Sequence, residues 1–349
     1  MVQEDIFDMT VIGGGPAGLY SAFYSGLREM KTKIIEFQPE LGGKIHVYPE
    51  KMIWDVGGLT PIPGARLIEQ LVQQGLTFNP EVVLNEKVES ITRREDGIFE
   101  LHGSSGRVHL SKTVIVAVGS GILNPQKLDI EGASRFEVEN LHYTVKSLKR
   151  FKDKTVIISG GGNTAIDWAN ELEPLAKKVY VTYRKDAFGG HEATATQLLN
   201  SSVECLFHRT ITKLHARADH EVIERVELTH LQTGEVMELY VDDVIINHGY
   251  ERDTSLLQNS DLKIDIAGGD YIAGTPGSES SVPGLYAAGD ILTHEGKLHL
   301  IAGAFQDAAN AVNKAKRFIQ PDADAIAMVS SHNEAFKGRN KELVKKMMG

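Results

Sequence analysis

The chain has 349 residues, with 37 Lys and Arg against 47 Asp and Glu and a formal net charge of −10. At about 150 residues per domain, this length predicts two domains, and the acidic balance argues against a nucleic-acid-binding protein. Cys205 is the only cysteine, which excludes an internal disulfide, a Cys-x-x-Cys redox pair and a cysteine-rich zinc site. No run approaches the roughly 18 apolar residues of a membrane span, and no signal peptide is evident, so we expect a cytoplasmic protein with no membrane partner.

The first elements of the chain predict a βαβ unit around a glycine-rich turn. Residues 9–12 have the pattern of a buried strand, 19–30 that of a helix and 33–36 that of a second strand. The turn, of the G-x-G-x-x-G type, consists of Gly13, Gly15, Pro16, Ala17 and Gly18. Glycine lets such a turn approach a pyrophosphate at the helix N-terminus. Glu36 ends the second strand, where a carboxylate accepts hydrogen bonds from ribose hydroxyls. We therefore predict a dinucleotide site, with a purely structural turn as the alternative.

A second unit of the same kind begins about 147 residues later. The apolar run 155–159 leads into a turn and a helix that is expected to continue to about Lys177, and 179–183 follow as a strand. This turn, of the G-x-G-x-x-A type, contains Gly160, Gly162, Asn163, Thr164 and Ala165. No acid ends the second strand. Arg184 and Lys185 follow it, and cations there suit the 2′-phosphate of NADP(H), unless they only solvate a strand end.

Further elements surround these two units. In chain order we predict a helix over 61–80, short strands over 82–118 and 203–247, a strand over 285–288, a helix over 303–318 and a polar, mixed stretch over the last 20 residues. The alternation of strands and helices predicts an α/β protein with two Rossmann-like dinucleotide-binding domains.

Two different dinucleotide sites in one chain suggest an electron relay between two bound cofactors. The usual pair is a flavin and a nicotinamide, since a flavin accepts a hydride and passes single electrons onward.

Several segments together resemble a known group of flavoproteins. They are 11–18, 160–163, 287–290, 41–43, 48–51, 142–143 and 295–297. In these segments the chain is similar to the two-domain thioredoxin-reductase-like flavoproteins, and within them to the ferredoxin–NADP reductases of Bacillus-like bacteria. The resemblance implies an FAD domain made of 1–120 and 249–349, an NADPH domain over 121–248, a C-terminal extension over 320–349 that covers the flavin, and a homodimer.

A missing motif narrows the function that this resemblance implies. Thioredoxin reductases carry Cys-x-x-Cys shortly before the second glycine-rich turn, whereas 143–146 read Tyr-Thr-Val-Lys. A dithiol relay at that place is therefore excluded. The implied reaction is FAD-dependent electron transfer between NADPH and ferredoxin or flavodoxin, in which a hydride passes from NADPH to flavin N5 and single electrons pass to the carrier. The alternatives are a reductase of a low-molecular-weight disulfide and a non-catalytic redox sensor.

The resemblance also assigns residues to the two faces and the tail of the flavin cofactor. It implies that Tyr48 covers one face of the isoalloxazine and that Asp290 holds the ribityl chain. Further FAD contacts are implied for Glu36, Gly43, Lys44, Val88 and Leu123. For the other face we expect Val329 with Ser331 beside it. The aromatic alternatives there are His332 and Phe336.

Two basic runs are candidate docking surfaces for an acidic electron carrier. The first contains Lys146, Lys149, Arg150, Lys152 and Lys154, and the second contains Lys337, Arg339, Lys341, Lys345 and Lys346. Charge attraction would steer an acidic protein toward either run, although a solvated connecting segment is the plainer interpretation of the first. The histidines show no ligand spacing, so we expect no metal site.

Overall fold

The structure is a computed structural model that describes residues 5–121, 124–218, 221–251 and 253–348, without the side chains of Ser331 and Ala335. The chain separates into two compact units, one formed by 1–122 with 252–349 and the other by 123–251. The first unit is thus made from both ends of the chain.

The elements follow in chain order. The first unit begins with β1 Ile6–Ile12, α1 Pro16–Leu27, β2 Thr32–Ile35, β3 Met52–Ile53, β4 Ile62–Pro63, α2 Gly64–Gly75, β5 Glu81–Val83, β6 Val88–Arg93, β7 Phe99–Gly103 and β8 Val108–Val116. The second unit contains β9 Leu141–His142, β10 Thr155–Ser159, α3 Asn163–Leu172, β11 Lys178–Tyr183, α4 Glu192–Leu199, β12 Glu204–Phe207, β13 Arg209–Ala216, β14 Ile223–His230, β15 Val236–Tyr240 and β16 Asp243–Ile246. The chain then returns to the first unit with α5 Ser255–Gln258, β17 Ile266–Ala267, β18 Tyr271–Ala273, β19 Leu285–Ala287, β20 Leu292–Thr293, α6 Ile301–Ile319 and α7 Lys337–Met348.

The main sheet of the first unit brings several strand ends to one edge. Its strands lie in the order β5-β2-β1-β8-β7-β6, and β19 also pairs with β8. Strands β1, β2, β5, β8 and β19 are paired in parallel, whereas β6 and β7 are antiparallel. The carboxyl ends of the parallel strands therefore meet, and Gly13, Glu36 and Ala288 follow β1, β2 and β19 there.

Helices α1 and α6 pack together over this sheet. Ala304, Ala308 and Ala311 recur on one face of α6 and are at most 7% exposed. They form one buried cluster with Val11 of β1 and Ile115 of β8. The small side chains let α6 approach the sheet closely, which fixes the segment that precedes α6 near the carboxyl ends of the strands.

The second unit is built on a fully parallel sheet. Its strands lie in the order β12-β11-β10-β16-β9. The antiparallel strands β13, β14 and β15 form a second sheet, and the core between them includes Ile157, Val226 and Val244. The predicted α/β class is confirmed.

Two helices depart from the sequence predictions. Helix α3 ends at Leu172 rather than near Lys177, because Pro174 has no backbone N–H with which to continue the helical hydrogen bonds. The tail, expected to be a polar stretch, contains α7. Among the described residues, no helix is both long enough and apolar enough to cross a bilayer.

Candidate functional site

The glycines of the first turn serve two different purposes. Gly13 has a φ of +108°, and a Cβ there would lie 2.4 Å from the carbonyl oxygen of Ala117. A Cβ at Gly18 would lie 1.9 Å from the carbonyl oxygen of Gly13. Both are required by the packing of α1 against the strands. At Gly15, in contrast, the nearest atom would be 3.7 Å away, so this glycine leaves space rather than avoiding a clash within the protein.

The N-terminus of α1 has the features of an anion site. Its N-cap is Gly15, which has no side chain to bond the first N–H groups, and its first turn contains no acidic residue. Pro16 occupies the start of the helix, and Ala17 is buried. Free N–H groups and the positive end of the helix dipole favour a phosphate at this position.

Glu36 lies beside the same turn. Its side chain is 7% exposed and accepts hydrogen bonds from the backbone N–H groups of Gly14, at 2.5 Å, and Gln38, at 2.8 Å. A carboxylate can accept about four hydrogen bonds. Glu36 is therefore fixed in place and retains acceptor capacity, and its contact with ribose hydroxyls stays a prediction.

A buried ion pair supports the turn that contains Asp290. The Asp307 carboxylate on α6 accepts a hydrogen bond from the backbone N–H of Gly289, at 3.0 Å, and another from the Lys297 ammonium. The side chain of Lys297 is only 4% exposed. Asp290 itself is partly exposed, with one oxygen 3.6 Å from His299 Nδ1. Neither Asp307 nor Lys297 was predicted from the sequence, although an aspartate inside the apolar face of α6 is a signal that could have identified Asp307.

The remaining predicted FAD residues that the structure describes belong to separate segments of the first unit. Gly43 has a φ of +62° and begins a short 3-10 helix that ends before Tyr48. Tyr48 is half-buried and packs against the cluster that includes Ile45. Lys44 is exposed, and Val88 is buried at the start of β6. Leu123 and the side chain of Ser331 lie outside the described part of the chain.

The C-terminal segment packs on the first unit through one aromatic ring. The ring of Phe336 lies 5.3 Å from that of Phe78 and 6.5 Å from that of Phe23, centre to centre. Val329 is 61% exposed, and His332 is exposed as well. Phe336 thus has partners within the protein, and the residue that covers the second flavin face stays a prediction.

In the second turn, as in the first, one glycine avoids a clash within the protein and another leaves open space. Gly160 has a φ of +153°, and a Cβ there would lie 2.5 Å from the carbonyl oxygen of Asn247. A Cβ at Gly162 would meet no atom within 4 Å. Gly162 is also the N-cap of α3, again without a capping side chain or an acid in the first turn. Ala165, in the place of the third glycine, is fully buried.

A loop after β11 is held against this turn. The side-chain oxygen of Asn163 accepts a hydrogen bond from the N–H of His191, at 2.8 Å, and Gly189 donates one to the carbonyl of Gly161, also at 2.8 Å. Thr164 is exposed at the start of α3. The loop therefore borders the anion site at the N-terminus of α3.

Arg184 and Lys185 are exposed directly after β11. Within the described residues, no ion pair involves either of them. Desolvation and, secondarily, the Arg184 charge lower the pKa of His248, whose Nε2 is 2.8 Å from the Ser159 hydroxyl. His248 and Ser159 were not predicted. Their places after β16 and at the end of β10 are the signal that could have identified them.

Two cations of the first basic run, Arg150 and Lys154, form ion pairs with a buried carboxylate. The Asp243 side chain is fully buried and contacts His142 at 2.7 Å, Lys154 at 2.8 Å and Arg150 at 3.6 Å. Burial favours a raised pKa for Asp243, but the hydrogen bonds from His142 and Lys154 outweigh it and lower this pKa. Asp243 begins β16, so the cluster lies at the edge of the sheet opposite the second turn.

Three side chains on the antiparallel sheet are close enough together to be compared with a metal site. The potential ligand atoms of His215, Glu227 and Glu238 lie within 4.8 Å of one another. However, Glu227 is bonded to His215 at 2.5 Å, and Glu238 is bonded to Arg225 at the same distance. Because cations and hydrogen bonds already satisfy both carboxylates, this group gives no support for a metal site.

Comparisons with known proteins agree with this architecture. The pattern of the pyridine nucleotide-disulphide oxidoreductase family matches residues 7–315. The ferredoxin–NADP reductase 1 of Bacillus licheniformis is 77% identical over 347 residues, 99% of each chain, and that of Bacillus mycoides is 75% identical over the whole of both chains. A solved thioredoxin reductase of Lactococcus lactis is similar in fold, with a TM-score of 0.75 and 22% identity over 90% of this chain and 99% of that one. The chain therefore belongs to the pyridine nucleotide-disulphide oxidoreductase family, and within it to the group that contains these Bacillus ferredoxin–NADP reductases.

Proposed function

We propose that this protein is an FAD-dependent ferredoxin–NADP reductase. One observation carries the proposal: two glycine-rich turns with open middle glycines and uncapped helices occur in a chain that is 77% identical to a ferredoxin–NADP reductase over nearly its full length. When bound, FAD supplies the conversion between hydride transfer from NADPH, at flavin N5, and single-electron transfer to the carrier.

The first unit fits FAD through its glycine-rich turn at the N-terminus of α1 and through its acidic residues. The open position at Gly15 and the N–H groups of α1 bind the pyrophosphate. Glu36 accepts bonds from the ribose, and Asp290, supported by the Asp307 carboxylate, bonds the ribityl chain. Further FAD contacts are proposed for Gly13, Pro16, Ala17, Gly18, Gly43, Lys44, Val88, Leu123 and Ser331.

The second unit fits NADPH through its glycine-rich turn at the N-terminus of α3 and through two cationic side chains. Gly162 and the N–H groups of α3 bind the pyrophosphate, and Arg184 and Lys185 neutralise the 2′-phosphate. The preference for NADPH over NADH follows from these two cations. Gly160, Asn163, Thr164 and Ala165 shape the turn.

The side chains near the reacting atoms orient and shield rather than transfer protons. A hydride moves with both of its electrons, so no acid or base is required for that step, and the protein contributes by fixing the distance between donor and acceptor. We assign one flavin face to Tyr48 and the other to Val329 within the C-terminal extension 320–349.

The partners follow from this reaction. Ferredoxin is the first acceptor to consider, because the similar Bacillus proteins bear that name, and flavodoxin offers the same one-electron chemistry. We propose a homodimer formed by the surfaces of the two units, and a cytoplasmic location, where NADPH and such carriers are available.

Comparison of acceptors tests the proposed function. The purified holoprotein is supplied with NADPH and, in turn, ferredoxin, flavodoxin or a low-molecular-weight disulfide, and NADPH oxidation is followed. We expect rapid turnover with ferredoxin or flavodoxin and none with the disulfide. Turnover with the disulfide alone would establish the rival reductase, and no turnover with any acceptor would favour a redox sensor.

A further inference from the structure

Helix α7 presents an uncovered apolar face. None of its described residues is buried. Leu343, Val344, Met347 and Met348 follow each other at a spacing that places them on one side of the helix, and their exposure ranges from 50% to 86%. Four large apolar side chains on one exposed helix face are typical of a surface that meets a partner.

The rest of α7 is strongly basic. The helix carries five cationic side chains and a single carboxylate, Glu342, a net charge of +4, whereas the remainder of the chain carries −14. Lys337 is paired with Glu334 at 3.0 Å. Within the described residues, no ion pair involves the other four cations, which are Arg339, Lys341, Lys345 and Lys346.

The two basic runs differ in how many of their cations are already paired within the protein. In the first run, Arg150 and Lys154 are held by the buried Asp243, and Arg150 also donates to the carbonyl of Glu139. Lys149 and Lys152 remain exposed there, but no apolar face of the kind seen on α7 accompanies them. The larger set of unpaired cations lies on α7.

The start of α7 is anchored to the first unit. Phe336, immediately before the helix, contacts Phe78 and Phe23 through its ring. The tail is held a second time where Arg28 donates a hydrogen bond to the carbonyl of Asp324, at 2.6 Å. The helix is thus an exposed element with a fixed attachment.

We propose that α7 is the docking surface for the acidic one-electron carrier, an inference that rests on the proposed function. Its cations attract an acidic protein over distances of about a Debye length, and its Leu, Val and Met side chains supply an adaptable short-range contact. Association of two copies through α7 would bring two helices of charge +4 together, which repulsion opposes. Charge complementarity therefore selects an acidic partner.

Charge reversal on α7 tests this assignment in the full-length holoprotein. The test variant is K341E/K345E/K346E, and the matched control, with the same change in net charge, is K146E/K149E/K152E in the first run. Reduction of ferredoxin by NADPH is measured between low and high salt, and a neutral quinone serves as an acceptor that needs no charged docking surface. We expect the KM for ferredoxin to rise about tenfold at low salt in the test variant, with a flatter salt dependence, and to change less than about twofold in the control.

A second variant separates the apolar contribution. L343S/M347S removes apolar contact without changing charge, so the KM for ferredoxin should rise severalfold at every salt concentration while its salt dependence stays as in the wild type. An unchanged KM and salt dependence in both α7 variants would overturn the docking assignment while leaving the reductase function intact. Wild-type turnover with the quinone but not with ferredoxin would instead overturn the proposed function.

The same variants decide among other occupants of α7. Sedimentation velocity shows whether L343S/M347S dissociates a dimer, and co-sedimentation with anionic phospholipid vesicles shows whether K341E/K345E/K346E loses membrane binding. Dissociation of the dimer would assign the face to a second copy, and vesicle binding by the wild type alone would assign it to a membrane. Either result, combined with unchanged ferredoxin kinetics, would overturn the proposal.

Discussion

Substitution of Gly162 by alanine should weaken NADPH binding without weakening the fold. The backbone of Gly162 is extended, with φ −90° and ψ 179°, which any residue adopts, and a Cβ there would meet no protein atom within 4 Å. The new methyl group would occupy the space that we assign to the pyrophosphate. Gly160→Ala provides the matched comparison, because its Cβ would lie 2.5 Å from a backbone oxygen at a φ of +153°.

We expect Gly162→Ala to change mainly the affinity for NADPH and Gly160→Ala to change mainly the free energy of unfolding. For Gly162→Ala we expect a Kd for NADPH that is about 10 to 100 times higher, equivalent to about 1.4–2.7 kcal/mol, and a free energy of unfolding within about 1 kcal/mol of the wild type. For Gly160→Ala, the strained φ and the contact with Asn247 should cost about 2 kcal/mol or more in folding free energy.

Three measurements on each variant separate ligand binding from stability. Flavin content reports on the first unit, thermal unfolding reports on the fold, and titration with NADPH reports on the second turn. Unaltered NADPH affinity in a correctly folded Gly162→Ala protein would refute the assignment of this turn to the pyrophosphate, since the methyl group would then point into space that the ligand does not use.

Three further predictions address other parts of the site. Arg184→Ala should raise the KM for NADPH about tenfold or more and leave that for NADH nearly unchanged; equal effects in steady-state assays would remove Arg184 from the 2′-phosphate site. Asp307→Asn should loosen the Gly289 turn and leave Lys297 unpaired, so FAD should be released about ten times faster when its fluorescence is followed; unaltered release would show that the pair does not support FAD. Asp243→Asn should destabilise the protein by about 3 kcal/mol at pH 7. Since the pKa of Asp243 is lowered from 3.8 in the folded chain, its contribution is complete above that value and is lost as the pH falls through the lowered pKa. A destabilisation of the Asn variant that persists unchanged at lower pH in denaturant titrations would contradict this role.

The sequence allowed accurate prediction of features that depend on local chemistry. The turns at Gly13 and Gly160 were identified because glycine is the residue that tolerates these backbone conformations and close contacts. The helix predicted over 303–318 is confirmed by α6, which spans Ile301–Ile319 and buries a row of alanines on one face. Glu36 was placed at the end of β2 by the position of a charged residue directly after an apolar run.

Features that depend on contacts between distant segments could not be predicted. Lys297 and Asp307 are ten residues apart and meet only because the chain folds back before α6. The Asp243 cluster combines side chains up to 101 residues apart, so the first basic run looked free in the sequence although two of its cations are engaged. Helix α7 was missed because its charged residues and Gly338 obscure a short apolar stripe. The contacts of Leu123 fall outside the described residues.

The proposed electron transfer is tested by mixing the holoprotein anaerobically with NADPH and following the flavin absorbance at about 450 nm. We expect rapid bleaching by NADPH and recovery of the absorbance when oxidised ferredoxin is added. Bleaching without recovery would show that ferredoxin is not the acceptor. A complete lack of bleaching would show that the second glycine-rich turn does not deliver NADPH to the flavin, and the proposed electron transfer would be wrong.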